Sequence, residues 1–169
     1  MSYQEKRTVA SVCSGVIVLI AYGIWAMGKV QTGDAALNDL KFWAETMLIF
    51  IGVGIAATIV IQIVFHIFLS VGVAVKRQIR DGACDSKQVE KEIKQEMVED
   101  EMDKLIGLKS MQVSFSIAGF GFVAALAVHV LGSSPALMLN ILFLSFLVGA
   151  ICEGLVQLYY YKRGIQNGR

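Results

Sequence analysis

"ALMLNILFLSFLVGAICEGLVQLYYYKRG" (residues 136–164) decides the fold class. Ala136 to Tyr159 is an apolar run long enough to cross the hydrocarbon of a bilayer, which takes about 20 residues of helix. It closes on Tyr159, Tyr160 and Tyr161, then on Lys162 and Arg163, the aromatic and basic residues that favour a membrane interface. Inside it stands one carboxylate, Glu153. A soluble domain of 169 residues that are 56% hydrophobic and 17% charged could not hide its apolar surface. The mean hydropathy is +0.62.

Working outward, three more runs qualify as spans: Thr8–Met27, Met47–Val75 and Met111–Leu131. Met47–Val75 is overlong at 29 residues and must tilt, kink or project. The expected fold is all-α: one integral membrane domain over residues 1–169, with four transmembrane helices at about 8–27, 47–75, 111–131 and 136–159. The first run is too long for a cleavable signal peptide and lacks a small-x-small site. "SVCSG" (11–15) is a poor lipoprotein signal, since its apolar stretch follows the cysteine. The lipid bilayer is the first partner, and a net charge of +1 gives no basic excess for nucleic acid. Cys13, Cys84 and Cys152 are too scattered for a disulfide framework.

Charge orients the spans. Thirteen of the fifteen Lys and Arg residues flank them on one side, and only Lys29 and Lys41 fall on the other. The positive-inside rule predicts a multi-pass cell-membrane protein with both termini and the central loop in the cytoplasm. Trp25 and Trp43 then mark the outer interface, and either Asp34 or Asn38 is placed to cap the second helix.

"KRQIRDG" (76–82) and "KRGIQNG" (162–168) follow the second and fourth spans at an offset of 86. They suggest a tandem hairpin repeat, 1–82 and 100–168, related by an axis along the membrane normal. Basic residues are expected at these positions in any case.

Residues 85–109 read as a cytoplasmic helix before the third span. Asp85 and Gln88 suit a capping box, and Val89, Ile93 and Met97 repeat at helical spacing. Nothing but Gly107 weakens one helix from about Ser86 to Leu131. Glu96, Asp100 and Asp103 share a face of it. They form either a divalent-cation or basic-partner site or a solvated acidic surface, and the second reading carries more weight because hard cations usually draw ligands from a loop as well. No metal site is therefore expected. This helix is also the expected contact for a protein partner or a homodimer.

"DEMDKLIGLKS" (100–110), running straight into an apolar span, resembles the D-E-R-x-x-x-I-x-x-K-[SA] pattern of a family of small uncharacterised bacterial and archaeal membrane proteins. Asp100, Glu101, Ile106, Lys109 and Ser110 match, and Met102 replaces the Arg. The resemblance covers eleven residues and implies a prokaryotic inner-membrane protein.

Polar residues inside the spans are the candidate site. Ser145, Gly149, Glu153 and Gln157 recur every four residues, as do Gln62, His66 and Ser70. Small residues on the first span (Gly15, Gly23) and the third (Ser114, Gly119, Gly121) allow close helix approach. His66 and Glu153 lie ten and nine residues before Lys76 and Lys162, so equal depth allows them to meet. An ionised Glu153 at mid-bilayer would cost at least about 2.5–3.5 kcal/mol. It escapes that cost by protonating, by pairing with Gln62 or His66, or by facing a hydrated cavity. His129 lies near the outer end of its span, far from His66, which argues against a haem held by the two.

No nucleophile–base motif, P-loop, zinc spacing or dinucleotide fingerprint occurs. The expectation is a non-enzymatic four-helix inner-membrane protein without cofactors, acting as an interaction or regulatory component. The alternative is a small proton- or cation-coupled transporter or channel subunit using Glu153, which with four helices nearly demands a dimer.

Overall fold

The computed structural model describes residues 3–31, 39–81 and 100–163. They form four helices: α1 (Tyr3–Gln31), α2 (Leu40–Asp81), α3 (Glu101–Val130) and α4 (Pro135–Arg163). No strand occurs among the described residues. All four are long and apolar enough to cross a membrane, so this is a multi-pass membrane protein. At 1.5 Å per residue the 29, 30 and 29 residues of α1, α3 and α4 exceed a hydrocarbon core of about 30 Å by several turns. The 42 residues of α2 reach about twice that thickness, so α2 must tilt strongly or project into water.

The helix starts are set by side chains that satisfy the free N–H groups of a first turn. Asp39 accepts from the backbone N–H of Lys41 at 2.9 Å and of Phe42 at 3.4 Å. The cap of α2 is therefore Asp39, and Asp34 and Asn38 lie outside the described residues. Asp100 and Asp103 close a reciprocal capping box: the Asp103 N–H donates to Asp100 Oδ1 at 2.8 Å, and the Asp100 N–H to Asp103 Oδ2 at 3.2 Å. Asp100 has extended backbone (φ −77°, ψ 174°), so the expected single helix from 86 to 131 is broken there. Its earlier part, Asp85 and Gln88 included, lies outside the described residues. Gly132, at φ 92°, makes the tight turn between α3 and α4 that a Cβ would strain. Ser134 then caps α4 through Leu137 N–H at 3.3 Å, with Pro135 at the first helical position.

The two hairpins pack unequally. The α3–α4 pair is the most extensive contact, α4 also packs on α1, and α2 touches α1 and α4 more sparingly. Close approach rests on particular glycines. A Cβ on Gly121 would run into Ser145, and one on Gly154 into Val12. One on Gly149 would lie 3.1 Å from the Ser114 carbonyl oxygen, and one on Gly15 3.2 Å from Ile151. Gly23 and Gly119 have nothing within 4 Å, so those two do not serve helix approach.

At the end of the bundle near the α3–α4 turn, an aromatic cluster joins α1, α2 and α4. The Tyr22 ring lies 4.6 Å from Phe143 and 5.1 Å from Phe50, and Trp25 lies 5.7 Å from Trp43. The Tyr22 hydroxyl donates to Asn140 Oδ1 at 2.6 Å. Trp43 is 3% exposed, so it packs inside the bundle and is no free interfacial anchor. Its Nε1 is buried without a hydrogen-bond partner among the described residues. At the opposite end, Lys109 sits 5.9 Å over the Tyr160 ring and Arg163 5.3 Å over the Tyr159 ring.

The glycine contrast is measurable. Gly121→Ala should destabilise the protein by about 1–3 kcal/mol, since two packed backbones must separate to admit the methyl group. Gly119→Ala, two residues away on the same helix, should leave it unchanged or slightly stabler. Thermal unfolding of both variants in one detergent checks the difference.

Candidate functional site

The N-terminus of α1, the N-terminus of α3 and the C-terminus of α4 come together at one end of the bundle. Between them lies a half-open cavity of about 680 Å³. Helix α1 turns Gln4, Arg7, Thr8 and Ser11 into it, residues spaced to share one helical face. From α3 come Asp103 and Lys104, with Gly107, Leu108 and Met111 deeper in. From α4 come Glu153, Gln157 and Tyr161. The lining thus holds two basic side chains, Arg7 and Lys104, and two acidic ones, Asp103 and Glu153.

Glu153 is half-buried and makes no side-chain hydrogen bond or ion pair among the described residues. Its carboxyl faces the cavity. Gln157, one turn on, approaches Thr8: the Thr8 hydroxyl lies 3.3 Å from Gln157 Oε1 and donates to the Gln4 carbonyl at 2.9 Å. This contact spans the wall between α1 and α4. Gly154, buried against Val12, brings the two helices close enough for it to form.

Of the four intramembrane candidates, the structure brings Glu153 and Gln157 together at this cavity. No α2 residue with a described side chain lines it. Gln62 is exposed on α2, and the His66 side chain lies outside the described residues. The expected approach of Glu153 to His66 therefore falls on a side chain outside the described residues, and the cavity beside Glu153 is lined from α1, α3 and α4. In the acidic group, Asp100 and Asp103 spend their carboxylates on the helix cap, and Glu96 lies outside the described residues. His129 is exposed at the far end of α3, its Nδ1 3.2 Å from the Ser133 carbonyl oxygen. No group of three or more His, Cys, Asp or Glu suited to a metal ion occurs among the described residues. Cys13 is exposed and Cys152 half-buried, so Cys13 faces out of the bundle and contributes nothing to its packing.

The segment 100–110 has a structural use for most of its matching residues. Asp100 caps α3, Ile106 is 1% exposed, and buried Ser110 donates its hydroxyl to the Ile106 carbonyl at 2.8 Å. Lys109 covers Tyr160. These contacts seat the start of α3 against α4 beside the cavity. Compared with family models, curated proteins and solved structures, the chain matches none.

Arg7, Thr8, Ser11 and Lys104 are cavity residues that the reading of the spans passed over. Their signal is the spacing 4, 7, 8, 11, a polar stripe leading into the first apolar run. Ser11 and Ile17 both present surface on α1, but only Ser11 faces the cavity. In a chain whose native cysteines are replaced by alanine, Ser11→Cys should react with a water-soluble maleimide in membranes opened on both sides. Ile17→Cys, 65% exposed but turned toward lipid, should not.

Proposed function

We propose that the protein is a non-enzymatic inner-membrane component that binds a small cationic or zwitterionic solute in the cavity around Glu153. Its role is regulatory or interactive, and binding is the event it reports to a partner. The observation that carries this reading is a carboxylate, unpaired among the described residues, set in a polar cavity large enough for a small organic molecule. Arg7 and Lys104 share the lining with Glu153, so a zwitterion would find a counter-charge for each of its ends.

A second reading, a proton- or cation-coupled transport subunit, draws on the same carboxylate. Transport needs a route past both ends of the bundle. The end away from the cavity is filled by Tyr22, Trp43, Met47, Ala136 and Phe143, all under 9% exposed. That packing supports binding over passage through a single chain.

The orientation belongs to the same proposal: the cavity opens to the cytoplasm, with both termini. Ser11→Cys in intact cells should be shielded from an impermeant maleimide, whereas Ser133→Cys in the α3–α4 turn should react. Labelling of Ser133→Cys only after the cells are opened would overturn the orientation.

Binding is tested with the whole protein in lipid nanodiscs, using arginine, glycine betaine and tetramethylammonium as probes. Saturable binding of at least one is expected, weakened about ten- to a hundredfold by Glu153→Gln, the loss of one charge-assisted contact. Unchanged affinity in that variant would remove Glu153 from the site. Proteoliposomes separate the two readings: the binding reading expects no proton-driven uptake of these probes, and uptake lost in Glu153→Gln would establish the transport reading in its place.

A further inference from the structure

Below the aromatic cluster, α2 turns one face toward the bundle and others away from it. Its inward face, Met47, Phe50, Gly54, Ala57 and Ile61, is buried or half-buried. About 100° round the helix runs a second stripe: Leu48, Ile51, Ile55, Thr58 and Gln62. Every member is exposed, with Leu48 at 67%, Ile51 at 46% and Ile55 at 58%. The stripe steps by three, four, three and four residues, the spacing of a helix seam that packs knobs into holes against a like helix.

Lipid could cover the aliphatic part of this stripe. It cannot satisfy Gln62. That residue lies inside the apolar run Met47–Val75, fifteen residues from one end and thirteen from the other. Its amide carries two donors and one acceptor. It makes no side-chain hydrogen bond among the described residues, and hydrocarbon offers none. Thr58, one turn away, donates its hydroxyl to the Gly54 carbonyl at 2.9 Å and forms no hydrogen bond with Gln62. An amide is its own complement. Two copies related by a two-fold axis along the membrane normal keep the same orientation, and each residue near the axis meets its own counterpart.

We infer that the protein is a parallel homodimer in the bilayer, joined along the Leu48–Ile51–Ile55–Thr58–Gln62 stripe of α2, with the two Gln62 amides hydrogen-bonded across the axis. The polar residue at one seam position fixes the register, as an Asn does in a coiled coil. The interface lies on α2, away from the cavity of α1, α3 and α4, so the dimer leaves both cavities open.

The test uses the full chain with its native cysteines replaced, reconstituted in liposomes at high lipid-to-protein ratio. Single cysteines are placed at Ile51, Ile55 and Thr58 on the stripe, and at Ile49, Val53 and Val60 on the opposite, equally exposed face. Mild oxidation should give cross-linked dimers from the first three and not from the second three. Equal cross-linking at all six, a pattern favouring the opposite face, or none at any position would overturn the proposal. Energy transfer between labelled copies, followed on dilution with lipid, gives the association constant. Gln62→Leu, which keeps the helix and its hydrophobicity, should weaken it about three- to thirtyfold, the range spanned by interhelical hydrogen bonds in membranes. Gln62→Asn should recover part of that loss. A Leu variant that associates as tightly as the parent would remove Gln62 from the interface.

Discussion

Hydrocarbon offers no hydrogen bonds, so every polar group inside the bilayer must find its partner within protein or keep a route to water. Most of this molecule follows from that constraint. The backbone meets it by folding as helices. The hydroxyls meet it locally: Thr46 donates to the Phe42 carbonyl, Ser116 to Gln112, and Ser145 to Leu142, at 2.9, 2.8 and 2.7 Å. A long-range pairing, Tyr22 to Asn140, ties α1 to α4 inside the aromatic cluster. Among the polar groups left without a hydrogen bond among the described residues are Trp43 Nε1, the Gln62 amide and the Glu153 carboxylate. They differ in what surrounds them. Trp43 is packed, Gln62 faces outward, and Glu153 faces a cavity.

That difference sorts structural groups from working ones. A buried indole N–H without a partner costs about 1–3 kcal/mol and gives nothing back unless its neighbours gain by packing on the ring. Here Trp25 and Phe42 lie edge-on to Trp43 at 5.7 and 6.0 Å, contacts that favour the ring where it is. Gln62 and Glu153 have no such packing reason. Either could be replaced by leucine with a gain in apolar surface. The two proposals above give them different partners: a second helix for the amide on α2, a charged solute for the carboxylate in a polar cavity.

How much of this was legible in the sequence depends on the range of the signal. Hydropathy is local, and it gave all four helices in their order. Lengths were less legible: α2 begins at Leu40, seven residues before its apolar run, because Asp39 caps it there. The break at Asp100 was readable too, since Asp-x-x-Asp before an apolar run is a capping signal, but the acidic residues around it suggested a continuous charged helix instead. Which helix faces which was not legible. Glu153 and His66 have equal depth, and depth alone cannot tell a neighbour from a helix across the bundle. Gly119 and Gly121 are equally small, yet only Gly121 meets a neighbour, because two residues on a helix point 200° apart. The polar stripe Gln4–Arg7–Thr8–Ser11 was within reach of periodicity, but it lies where charge was being read for topology.

The two ends of the bundle divide the work. Around Tyr22 three helices lock through rings and one hydrogen bond, and exposure there falls below 9%. Around Glu153, polar and charged side chains of α1, α3 and α4 line a half-open cavity, with Thr8 and Gln157 in contact across one wall. Helix α2 takes part in the first end through Trp43, Met47 and Phe50. Lock, cavity and free helix are three consequences of one rule about polar groups in oil, applied at three places where the sequence satisfies it in different ways.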